Sequence, residues 1–214
     1  MVITRDKSII FKDYKIKGFI FICLVISIFT TSLSGCFALK NAQDKSGSQV
    51  PRNERWGIYL LDTRTQKLNL VYSSHEKIDF LHLSSDGKRF AFSKYIGGNE
   101  RENTEVCILN TDGSNFSRLT ENDLWDVYPR WSPDGESILF LTFRDKDLDI
   151  YIMDAHGSDV RKFYDSGGHD ADIDWKQSKI AFTSGSCIWI MDVDGTDPVK
   201  ITSPPRAGEQ GNAV

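Results

Sequence analysis

The sequence has no Gly-x-Ser-x-Gly elbow, and its four histidines, His75, His82, His156 and His169, are scattered. A nucleophile–base pair therefore has no local support, and no enzyme activity is expected. No His and Cys cluster has zinc spacing and no Gly-rich loop leads into a helical pattern, so no cofactor is expected. Cysteine is scarce: four among 214 residues, two of which, Cys23 and Cys36, lie in the N-terminal segment. Positive charge is lacking too. The first 36 residues hold five of the 26 basic and two of the 30 acidic side chains, which leaves 21 against 28, a net of −7, for the rest. Nucleic acid wants a basic face, so that class of partner is excluded.

Long apolar runs are missing except for one, Gly18 to Thr30. It comes after Arg5, Lys7, Lys12, Lys15 and Lys17, the layout of a secretory signal with a positive n-region. Leu33-Ser34-Gly35-Cys36 comes next and resembles the lipobox of bacterial lipoproteins. That resemblance implies lipidation of Cys36, the first residue after cleavage. An uncleaved anchor helix running on through Phe37-Ala38-Leu39, about 22 residues, is the other reading. Both place the remainder outside the cytoplasm, attached to a membrane. Phe37 in place of Asp after the Cys favours the outer membrane facing the periplasm in a Gram-negative source, and otherwise the cell surface.

Trp131-Ser132-Pro133-Asp134-Gly135-Glu136-Ser137-Ile138-Leu139-Phe140 sets the pattern for the remaining chain. Pro presets φ at the second turn position and Gly takes positive φ at the fourth, so the stretch reads as a hairpin between half-buried strands. It recurs as Leu83-Ser84-Ser85-Asp86-Gly87 through Phe92, and in worn form as Trp175 to Phe182. A second pattern interleaves: Ile58 to Asp62, Val106 to Asn110, Ile150 to Asp154 and Ile188 to Asp192, three of them running into Gly113, Gly157 and Gly195. The Gly-to-Gly intervals are 44 and 38 residues. A period near ~40 built of four short strands is that of a propeller blade. Cys107 and Cys187 then lie two blades apart, too far for a disulfide.

These half-motifs, with Arg118-Leu119-Thr120 closing a unit, resemble the WD40-like (PD40) repeat of TolB-type propellers over roughly Trp56 to Thr202. The resemblance implies an all-β fold, a β-propeller of four-stranded antiparallel blades. The expected organisation is a signal peptide over 1–36, a flexible tether over 37–55, blades over 56–202 and a disordered tail over 203–214. Strands c and d of a first blade and then three full blades make 14 strands, about 3.5 blades: an incomplete ring. The resemblance implies a non-catalytic module that binds a protein or envelope component. The alternatives are the propeller of a hydrolase or polysaccharide lyase, and a truncated fragment without independent function. Open edges add self-association as a further expectation.

Binding residues concentrate on the longer loops of a rigid scaffold. In a propeller the b–c and d–a loops share one face, and here they are 94–104, 121–126, 144–148 and 165–170. Tyr95, Trp125, Asp126, Arg144 and His169 are the candidates. Asp170, Asp172 and Asp174 alternate along one strand, so they are expected on one side, as a solvated rim or a weak cation site. Asp192 to Asp197 lacks the ligand set of an EF-hand and reads as a hairpin turn.

Overall fold

The computed structural model describes residues 25–27, 34–40, 56–62, 65, 67–97 and 103–203, with the backbone alone for the first two stretches. All the regular structure in them is β. Sixteen strands form four antiparallel sheets of four strands each, in sequence order within every sheet. The first blade is β1 (Val25–Ser27), β2 (Ser34–Lys40), β3 (Trp56–Asp62) and β4 (Lys67–Ser74). The second is β5 (Ile78–Leu83), β6 (Arg89–Tyr95), β7 (Thr104–Asn110) and β8 (Ser117–Arg118). The third is β9 (Asp126–Trp131), β10 (Ser137–Thr142), β11 (Asp149–Asp154) and β12 (Arg161–Tyr164). The fourth is β13 (Asp170–Lys176), β14 (Lys179–Ser184), β15 (Cys187–Asp192) and β16 (Val199–Lys200).

The last three blades lie where the repeats place them. The first differs from the expectation of two strands there and 14 overall. Ser34–Lys40 pairs with β3 from Ser34↔Asp62 to Lys40↔Trp56, and Val25–Ser27 pairs in turn with β2. An edge strand leaves unpaired backbone groups, and the apolar stretch around Cys36 satisfies those of β3. Residues 41–55 of the expected tether and 204–214 of the expected tail lie outside the described residues.

Three cores form between successive blades, because each blade is apolar on both faces. Ile58 of the first meets Phe90 and Phe92 of the second. Val106 of the second meets Trp131, Ile138 and Phe140 of the third. Ile150 and Ile152 of the third meet Ile180 and Phe182 of the fourth. The Ser-x-Asp-Gly turns are locked identically: Ser84 Oγ donates to Asp86 Oδ1 at 2.6 Å and Ser132 Oγ to Asp134 Oδ1 at 2.5 Å. Arg89 ties two of them together, its Nη2 donating to the Gly135 carbonyl at 2.8 Å with the guanidinium 4.4 Å from the Trp131 ring. A Cβ on Gly135 would stand 2.9 Å from that nitrogen, at a φ of +76°, so the turn requires Gly.

The inner strands hold a feature that alternation conceals. Phe80, Tyr128 and Asp172, at the same repeat position, have φ of 53°, 56° and 49°, and the ladder shifts register beside each. These are β-bulges in which the third residue turns left-handed. The bulge corrects the expectation that Asp170, Asp172 and Asp174 share one side. Asp170 is buried, whereas Asp172 and Asp174 are exposed. A residue in the left-handed region interrupts the strict two-residue period on which that expectation rested.

Candidate recognition face

The loops joining second to third strands and fourth to first strands carry a continuous polar and apolar cluster across the second, third and fourth blades. Asp126 opens β9 and is fully buried. Its Oδ2 accepts from Asn122 Nδ2 at 2.7 Å and from Arg144 Nη2 at 3.0 Å. Arg144 lies just past β10, and its Nε donates to Thr142 Oγ1 at 3.2 Å. The guanidinium also lies 6.0 Å from the Phe140 ring and 5.7 Å from that of Tyr151. It is thus fixed in direction by a carboxylate, a hydroxyl and two aromatic faces.

The apolar part surrounds it. Trp125 is exposed, its carbonyl accepts from Phe143 N at 3.1 Å, and its backbone bridges to Thr104. Phe143 is exposed too and stacks on His169 at 5.8 Å between ring centroids. His169 Nδ1 accepts from Leu148 N at 3.1 Å, which leaves Nε2 as the ring's outward polar atom. Tyr95 sits beside the cluster, paired in the ladder with Thr104. Its ring lies 4.7 Å from Lys77 Nζ, which donates to its hydroxyl at 3.4 Å. The five sequence candidates therefore share one face. Trp125, Asp126, Arg144 and His169 are linked directly or through Phe143, and Tyr95 joins through Thr104.

Sequence reasoning missed Phe143, Leu124 and Glu105. The first two carried a usable signal, since both are large apolar residues in loops. Glu105 did not, because only the fold shows that it is fully buried. Its carboxylate accepts from Asn122 N at 2.7 Å and from Thr120 Oγ1. Asn122 therefore bridges two buried carboxylates, Glu105 and Asp126. Burial holds the Glu105 carboxyl above its ordinary range despite these hydrogen bonds.

Two more buried carboxylates, Asp149 and Asp170, lie on the same side of the blades. Lys162 Nζ reaches Asp145, Asp149 and Asp165, each at 2.9 Å. Burial raises Asp149 nonetheless, and pushes Asp170 up to about 6 while Ser166 Oγ donates to it at 2.5 Å. A raised carboxyl binds its proton more tightly in the folded than in the unfolded chain, where it titrates near 3.9. Stability contributed by this group is therefore lost as pH rises through about 6 and is fully present below about 4. Unfolding free energies from urea titrations should rise by about 1.3 kcal/mol between pH 7.5 and pH 5, a slope that Asp170→Asn flattens.

Two cysteines and one histidine are withdrawn from solvent. Cys107 and Cys187 are free and buried, and burial pushes the Cys107 thiol up to about 12. His82 accepts from Trp131 N at 3.1 Å, and burial, with the Arg130 charge second, pushes it down to about 3. The turn at Asp192–Gly195 closes on itself, Gly195 N donating to the Asp192 carbonyl at 2.9 Å, and Asp194 accepts from Thr196. Asp172 takes a hydrogen bond from Thr183 Oγ1 at 3.3 Å, apart from the buried Asp170.

The family profile described as the TolB beta propeller domain (PD40) matches residues 31–211. The chain belongs to the TolB β-propeller family. This TolB-type propeller is 33% identical over 130 residues to the Tol-Pal system protein TolB 1 of Novosphingobium aromaticivorans, which covers 56% of this chain and 26% of that one. It is 28% identical over 88 residues to dipeptidyl-peptidase 5 of Porphyromonas endodontalis, 40% of this chain and 13% of that one. Its fold superposes on the crystal structure of TolB from Acinetobacter baumannii with a TM-score of 0.60 at 25% identity, over 69% of this chain and 38% of that one. The chain thus spans about a quarter or less of the length of these two curated relatives.

Proposed function

We propose that this propeller is a non-catalytic binding module for an extracytoplasmic protein or envelope component, held at the membrane through lipid on Cys36. The observation that carries the reading is the Arg144 guanidinium, pinned to the buried Asp126 and ringed by exposed Trp125, Phe143 and Leu124. Exposed aromatic anchors beside a preoriented Arg are the composition of protein-binding hot spots. The Tol-Pal name of one relative agrees with a role among envelope proteins.

A photo-crosslinking amino acid placed at Trp125 or Phe143 tests the contact surface in growing cells. A discrete adduct at both positions, absent when the probe replaces the exposed His156 of the opposite turns and weakened at least about tenfold by Arg144→Ala, is the expected result. Equal labelling at all three positions would remove the recognition face. The anchor is tested separately by feeding cells an alkyne fatty acid. Full-length chain should take up label and Cys36→Ser should not. Cleavage before Cys36 would take β1 out of the first blade and leave β2 beginning at its third residue.

The similarity to a peptidase favours one other reading, in which the blades belong to a hydrolase. Release of nitroaniline from peptide anilides by the purified chain would establish it.

A further inference from the structure

Two links hold the recognition face together, and they differ in what a proton does to them. One is Arg144 on Asp126, and a guanidinium does not deprotonate in proteins. The other runs through Leu148, in the loop between β10 and β11. Its carbonyl accepts from Asp170 N at 2.8 Å, and its N–H donates to His169 Nδ1 at 3.1 Å. One residue of the third blade is thus held at both backbone groups by two consecutive residues leading into the fourth. His169 in turn stacks on Phe143, with 5.8 Å between ring centroids, and Phe143 N donates to the Trp125 carbonyl at 3.1 Å. The two exposed aromatics therefore hang on an imidazole that must be neutral at Nδ1, since only a bare ring nitrogen accepts.

We infer that His169 is an acid-released latch on this face: a proton on Nδ1 sets two N–H groups against each other, frees the Leu148 amide and unstacks the ring from Phe143. The inference rests on the proposed reading of the face as a binding surface and supplies its regulation. Histidine is the side chain that ordinarily changes charge between about pH 5 and 8, and a face outside the cytoplasm meets the pH of its surroundings. Charged groups reach the latch from every element packed against it. The 144–148 loop brings Arg144, Asp145, Lys146 and Asp147, β11 brings Asp149, β12 brings Lys162, and the 165–170 loop brings Asp165 and Asp170. Lys162 already engages Asp145, Asp149 and Asp165. Asp170 itself gains a proton on acidification, because burial lifts its carboxyl to about 6, so Asp147 is the counter-charge left for an imidazolium. Protonating the Asp170 carboxyl does not touch its half of the link, which is made through its backbone N.

The test reads amide hydrogen exchange at Leu148 by NMR in the purified full chain, with rates corrected for the intrinsic pH dependence of exchange. Protection should fall at least about tenfold between pH 7.5 and pH 5. Ser132, whose N–H donates to the Ser137 carbonyl at a turn of the same blade, should keep its protection. His169→Asn, whose side-chain carbonyl accepts at either pH, should keep Leu148 protected throughout, and His169→Leu, which has no acceptor, should expose it at both. Photo-crosslinking from Phe143 should weaken in acid in the parent chain but not in His169→Asn. Equal protection at both pH values would overturn the inference, as would an equal fall in His169→Asn, which would assign the change to Asp170 or Asp149. A pH-dependent amide with crosslinking that ignores pH would overturn control of the face by the latch. A pH-dependent amide with no crosslink at any pH would leave the latch standing and remove the binding reading instead.

Discussion

Replacing Trp131 with Ala should destabilise the full chain by about 3–5 kcal/mol, whereas Trp175→Ala, at the same point of the next repeat, should cost about half as much. Trp131 is fully buried and packs with Val106, Ile138, Phe140 and Met153 between the second and third blades. It also supports Arg89, whose guanidinium covers its ring and holds the Gly135 carbonyl. Truncation leaves a cavity between two blades that cannot collapse without moving that Arg-held turn. Trp175 is only partly buried against the next core, so water already shares its surface. The repeat thus supplies its own control. Urea unfolding monitored by circular dichroism would decide the matter, and equal losses would mean that the cores are not graded by burial. Domains of this size hold roughly 5–15 kcal/mol, so the Trp131 change should leave a marginal fold.

Arg144→Ala should cost about 2 kcal/mol of stability, and adding Asp126→Asn should return most of it. Asp126 is fully buried and its Oδ1 has no hydrogen-bond partner among the described residues. Loss of the guanidinium leaves a buried carboxylate supported by Asn122 alone. An amide at 126 carries no charge to desolvate, so the double variant should be the more stable of the two. Arg144 is itself partly exposed, so solvent screens some of the pair and keeps the figure below that of a fully buried bridge. A double-mutant cycle on unfolding free energies gives the coupling directly, and a value near zero would show that the pair does not organise the face. Recognition should fail in both variants, because the double variant regains stability without regaining the guanidinium. That separation of stability from crosslinking distinguishes a binding residue from a merely structural one.

The blades were legible because each repeat states its own structure locally. Ser-x-Asp-Gly fixes a turn, alternating apolar residues on either side fix the strands, and recurrence near every forty residues fixes the architecture. Phe90, Ile138 and Ile180 occupy apolar positions of that pattern and are fully buried. Loop position and residue type were enough to nominate Tyr95, Trp125, Asp126, Arg144 and His169 as candidates on one side of the blades. Their grouping was not legible. The Arg144–Asp126 pair, the Phe143–His169 stack and the buried Glu105 join segments that turn and strand patterns cannot bring together.

Two things were decided only in three dimensions, and for different reasons. The side to which Asp170, Asp172 and Asp174 point depends on a left-handed bulge at Asp172, which strict alternation along the strand does not mark. The pairing of Ser34–Lys40 with β3 depends on backbone hydrogen bonding, which is blind to the lipobox-like character of the same residues. Sequence by itself determined the repeating unit, because turns and alternation act over a few residues. Tertiary structure decided which faces are filled, which carboxylates are buried and which aliphatics of the last blade stay open, because burial is settled by a neighbouring blade and not by the strand that carries the residue.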